Sequence, residues 1–142
     1  MNREHNARAT ITIDAPAEKV WAALVTPASI KEYMFGTNVT SDFKAGRPIT
    51  WKGEWKGKPY EDKGTIVKAD AGRVLEYTHF SPLAGLPDVP ENYHTVTIEL
   101  TDRSGKTLVT LVQGGNRTDE ERQHSEANWK MMLDALKKFV ER

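Results

Sequence analysis

Apolar and polar residues begin to alternate almost at the start of the chain. In ARATITI, residues 7–13, Ala9, Ile11 and Ile13 are separated by polar neighbours, a period of two that predicts a strand with one buried face. The period then lengthens. In DAPAEKVWAAL, Val20, Trp21 and Leu24 fall on one face of a helix, with Pro16 in a first turn that tolerates its missing N–H. Thr26-Pro27 stops this helix and starts a short second one, through Ile30 to Met34.

From Asn38 to Asn116 the period returns to two. Strands are expected over 39–43, 48–55, 58–70, 73–80, 93–101 and 107–113, with turn signals at Gly46-Arg47, Lys56-Gly57, Ala71-Gly72 and Ser104-Gly105. The proline-rich stretch 81–92 is too long for a tight hairpin, a length at which connections often carry function. Helical spacing closes the chain. Thr118 and Glu121 have the spacing of a capping box, and Trp129, Met132, Leu133, Leu136 and Val140 form one stripe. Lys137 and Lys138 sit near the carboxyl end, where cations complement the helix dipole. Only the sheet is large enough to cover such a stripe. The expected class is therefore α+β, an antiparallel sheet with two short helices after its first strand and a long last helix across it.

Composition narrows the function more than the fold. The 142 residues make one domain, 1–142, with residues 1–6 expected as a flexible tail. Lys plus Arg equals Asp plus Glu at 20 each, which removes the cation surplus that phosphate backbones require, so no nucleic-acid partner is expected. Cysteine is absent, excluding disulfides, thiolate nucleophiles, iron–sulfur clusters and cysteine-ligated zinc. No apolar run approaches the roughly 18 residues of a membrane span, and MNREHNARAT offers no leader, so the expected compartment is the cytoplasm. The sequons at Asn38 and Asn116 are then chance matches. No nucleophile elbow, zinc-protease helix, P-loop or dinucleotide fingerprint occurs, and no metal or cofactor is expected. Gly114-Gly115 lacks the third glycine and the lysine of a phosphate loop, and reads as a strand exit.

The order of elements resembles the helix-grip fold of the START-like (SRPBCC) superfamily. The stretches APAEKVWAALVTPASIKEYMFGT, SDFKAGRPITWKGEWKGKPYEDKGTIV, LEYTHFSPLAG and NWKMMLDALKKFVER resemble one branch, similar to the carboxy-terminal domain of the activator of the ninety-kilodalton heat-shock chaperone's ATPase. The resemblance spans nearly the whole chain. It implies a sheet wrapped around the last helix and a cavity between them more firmly than any reaction. On this resemblance, no counterpart of the amino-terminal chaperone-binding domain of larger relatives is expected among the 142 residues.

Candidate chemistry follows from register. Pairing Leu75 with Ile98 places Tyr77 opposite Val96 and His79 opposite His94, all on one face. Two histidines would then meet at the cavity mouth under the 81–92 loop, as an acid–base pair, as two metal ligands, or as polar residues on the rim. No carboxylate has motif spacing to orient either ring, and Asp62 and Glu54 read as solvated. Gln113 shares the inward phase of Val109 and Leu111, where its amide could orient a ligand or bond to the last helix. Trp51 and Trp55 share a strand face and are candidates for an aromatic wall, whereas Trp21 reads as packing. His124, four residues after Glu120, reads as a solvated helix face. The expected lining set is Tyr33, Trp51, Trp55, Tyr77, His79, His94, Val96, Gln113, Trp129, Leu133 and Leu136. The expected function is binding of a small apolar or lipid-like ligand. The alternatives are a chaperone-directed interaction module in a stress response, or a cyclase-type enzyme using His79 and His94.

Overall fold

Strand β1 (Ala7–Ile13) opens the fold, and helices α1 (Ala17–Leu24) and α2 (Pro27–Tyr33) follow it directly. The computed structural model describes residues 5–82 and 85–142, and the backbone alone at Trp55. Six further strands come next: β2 (Asn38–Ser41), β3 (Pro48–Trp55), β4 (Lys58–Asp70), β5 (Val74–His79), β6 (His94–Arg103) and β7 (Lys106–Gln113). Helix α3 (Asp119–Val140) ends the chain. The seven strands form one sheet in the order β1-β7-β6-β5-β4-β3-β2, and each neighbouring pair is antiparallel. This is the expected α+β, helix-grip arrangement.

Local chemistry sets the boundaries. Lys56-Gly57 and Ser104-Gly105 both take positive φ at two successive residues, the mirror-image turn that matches strand twist in two-residue hairpins. Strand β2 ends earlier than alternation predicts. Phe43 lies in the left-handed region at φ 53°, and its N–H donates to Ser41 Oγ at 2.9 Å, a side-chain turn that competes with the ladder. Pro16 precedes α1 in an extended conformation instead of entering its first turn. Thr26 donates its hydroxyl to Ala22 O and does not cap α2. At α3, Thr118 Oγ1 accepts from Glu121 N–H at 3.1 Å, one half of the capping box.

The core lies between α3 and the inner face of the sheet. Ile13, Val20, Val109, Leu111, Leu133, Leu136 and Val140 are all essentially inaccessible and belong to one apolar cluster. Helix α3 also seals the outer edge of β1. Arg8 N–H donates to Glu126 Oε2 at 3.1 Å, Asp14 N–H to Glu141 Oε2 at 2.7 Å, and Lys137 Nζ to Thr12 O at 3.0 Å. Side chains thus supply partners that an edge strand lacks. Residues 1–4, most of the expected tail, lie outside the described residues; the His5 carbonyl accepts from Asn116 Nδ2 at 2.8 Å.

Candidate functional site

Strands β5 and β6 pair in the register expected from their alternation: Leu75 with Ile98, Tyr77 with Val96, His79 with His94. The two histidines nonetheless take different partners. The His94 Nδ1–H donates to Gly114 O at 3.0 Å. Gly115 makes room for that ring: it has φ +88°, and a Cβ there would lie 3.0 Å from His94 Nδ1. His79 Nε2–H donates to Asp62 Oδ2 at 2.9 Å.

Asp62 corrects the expectation of a solvated carboxylate, and with it the expectation that no carboxylate orients either ring. Its side chain is 15% exposed. The signal lies in the hairpin. A two-residue turn at Lys56-Gly57 pairs Trp55 with Lys58, and counting back places Asp62 opposite Trp51 and Tyr60 opposite Gly53, as found. Asp62 therefore shares the inner face with Trp51. Trp51 packs its ring edge-on against His79 at 5.0 Å and tilted against Tyr77 at 5.3 Å. Tyr60 Oη and Thr37 Oγ1 are hydrogen-bonded at 2.7 Å. Gly64 allows β4 and β5 to approach here, since a Cβ would fall 1.7 Å from Thr78 O.

On the other side of the groove, Trp129 Nε1–H donates to Gln113 Oε1. Gln113 is buried, and its amide carbonyl joins β7 to α3. Within the groove remains a cavity of about 20 Å³, room for about one water. Of the expected lining set, Tyr33, Trp51 and Tyr77 wall it, and Met34, Phe43 and Met132 join them. Leu133 and Leu136 are buried in the core, and Val96 is buried on β6. The side chain of Trp55 lies outside the described residues. Tyr33 Oη donates to Ala23 O at 3.1 Å. Burial pushes the Tyr33 phenol far above its ordinary range, with a contribution from Tyr77, and burial does the same to Tyr77. Both remain neutral.

The long loop does not cover the histidines. Asp88 forms an ion pair with Lys63 and accepts from Tyr93 Oη at 2.6 Å, and Tyr93 stacks on Phe80 at 5.0 Å. Lys63 has the opposite phase to Asp62, so the loop is held over the outer face. There it borders an open crevice of about 500 Å³. The Lys63 ammonium and then the Tyr93 hydroxyl hold the Asp88 carboxyl below its usual value. His124 is exposed on α3. Among the described residues no three His, Asp or Glu side chains gather to hold a metal ion, and no helix is long and apolar enough to cross a membrane.

The sequence profile of the family described as Activator of Hsp90 ATPase homolog 1-like protein matches residues 14–141. No curated protein matches the chain. Among solved structures, the protein ChR145 from Cytophaga hutchinsonii is 58% identical, with a TM-score of 0.84 over 96% of this chain and 93% of that one. The Aha1 dimer from Colwellia psychrerythraea is 20% identical, with a TM-score of 0.74 over 96% of each chain. CalU16 from Micromonospora echinospora is 21% identical, with a TM-score of 0.76 over 95% of this chain and 75% of that one. The last two are similar in fold alone.

Proposed function

The chain belongs to the family of Activator of Hsp90 ATPase homolog 1-like proteins, and from that premise we propose that it binds a small apolar ligand between α3 and the inner face of the sheet, in the cytoplasm. The observation that carries this reading is the make-up of the cavity wall. Trp51, Tyr77 and Tyr33 form an aromatic inner side, and Met34, Phe43 and Met132 are among the apolar residues that complete the wall. These last three are held by no strand ladder, and methionine repacks readily around irregular shapes. Phe43 keeps a left-handed backbone, a strain that recurs where segments move or bind. Ligand pockets commonly reach roughly 300–1,000 Å³, so binding requires these side chains to swing outward from the 20 Å³ resting state. The residues that line the opened site are those of the expected set nearest Trp51, with His79 and His94 toward one end.

The test is methyl NMR of the methionines during titration with 2-naphthol and with 2-methoxynaphthalene. The reading predicts saturable shifts at Met34 and Met132, with Met131, which is 57% exposed, as the internal control. Absence of saturation with both probes, or equal shifts at Met131, overturns it. A second reading, a protein-interaction module, is favoured by the exposure of Phe35 at 68%. Recovery of a chaperone by the wild type and not by Phe35→Ser in affinity capture supports that reading, and equal recovery by both ends it.

A further inference from the structure

We propose that Asp62 and His79 form the polar end of this groove and take a hydrogen-bond donor of the ligand, a hydroxyl or an amine. The inference rests on the ligand-binding reading above and adds the chemistry of one end. Asp62 stands directly across from Trp51 in the β3–β4 ladder, and Trp51 is a wall of the cavity. Asp62 and His79 stand outside the present cavity wall, and a ligand extending past the indole on this face would reach the carboxylate. Asp62 Oδ2 accepts from His79 Nε2–H, but Oδ1 is buried and meets no donor among the described residues. A buried carboxylate oxygen left in this condition is costly, and native proteins retain such atoms where something else satisfies them.

The sign of the required partner follows from the atoms. A carboxylate oxygen can only accept. His79 Nε2–H is already committed to the other oxygen, Oδ2, and so does not satisfy Oδ1. An apolar molecule ending in a carboxylate or an ether would bring a further acceptor to Oδ1. One ending in a hydroxyl or amine supplies the missing donor. The geometry is held in place beforehand: Trp51 lies edge-on to the imidazole at 5.0 Å, and the backbone at Gly64 runs tightly against Thr78.

The experiment compares 2-naphthol with 2-methoxynaphthalene, which differ in whether the oxygen carries a proton, by calorimetric titration of the full-length protein. The wild type should bind the naphthol about tenfold more tightly. Asp62→Asn places an amide donor where Oδ1 was, so the ether's affinity should persist while the preference collapses to near unity. In ¹⁵N spectra of the wild type, the naphthol should shift the His79 ring signals and the ether should not. Equal wild-type affinities, or a preference that survives in Asp62→Asn, overturn the inference and leave the ligand-binding reading standing. If neither probe binds, both fall. If Asp62→Asn does not fold, the wild-type ratio and the His79 signals decide.

Discussion

Toward the carboxyl end of α3, Leu136 and Val140 share a cluster with Ile13, Val20 and Val109, every one of them apolar and closed to solvent. Nearer its start, Trp129 is hydrogen-bonded to Gln113, at the end of the sheet's inner face where His94 and the Asp62–His79 pair also stand. The first region is held by burial, which is additive and indifferent to direction. The second is held by directed bonds, each of which needs a named partner. On the proposed reading, stability and recognition are thereby divided along one helix.

The largest expected effect comes from attacking the apolar end. Leu136→Ala should lower unfolding free energy by about 3 kcal/mol, the cost of lost burial plus a cavity, read from urea denaturation. If the two ends are independent, the affinity for 2-naphthol should stay within twofold, as distant sites are usually additive. A large loss of affinity would mean that the ends are coupled. Next is Gly64→Ala, which forces a Cβ toward Thr78 O. It should cost about 2 kcal/mol as overpacking and also displace His79 from Asp62, seen as a changed His79 ring spectrum. An unchanged spectrum would separate the close strand approach from the pair.

The smallest effect is at the β1 edge and depends on pH. The Asp14 N–H and then Lys137 lower the Glu141 carboxyl from its usual value. At Glu126 burial acts upward but is outweighed by the Arg8 N–H and Arg122, leaving that carboxyl lowered as well. Carboxyls depressed in the folded state contribute stability above their unfolded pKa and lose it as pH falls through the folded one. Both side chains keep some contact with solvent, at 23% and 28% exposure, so the effect is modest. Glu141→Gln and Glu126→Gln should each lower the melting temperature slightly at pH 7. That difference should fade as the pH drops below about 4. A difference that persists at pH 2 would show that shape and not charge holds the edge.

The sheet was legible because alternation, turn residues and a striped helix agree at every level. Once Leu75 is set against Ile98, parity carries the register on to Tyr77 and His79, as found. Three features resisted. Alternation cannot report that Ser41 Oγ captures the Phe43 N–H and bends the chain out of β2, because that bond competes locally with the ladder. The role of Asp62 was hidden for a different reason: charged residues were read as solvated, without counting from the Lys56-Gly57 hairpin, which places Asp62 opposite Trp51. The position of the 81–92 loop depended on one tertiary ion pair, Lys63 with Asp88, that no local pattern encodes.

The stitching of β1 to α3 also bears on biosynthesis. The first strand to leave a ribosome pairs with β7, the last strand made, and finds its edge partners on the helix after that. Until β7 has emerged β1 lacks its ladder partner, and until α3 has emerged it lacks its side-chain seal. Contacts of such long sequence separation are slow to form, and unpaired strands invite association between nascent chains. Folding of this domain is therefore expected to be completed only once α3 has left the ribosome, and ribosome-bound chains stalled before α3 should expose β1 to proteolysis.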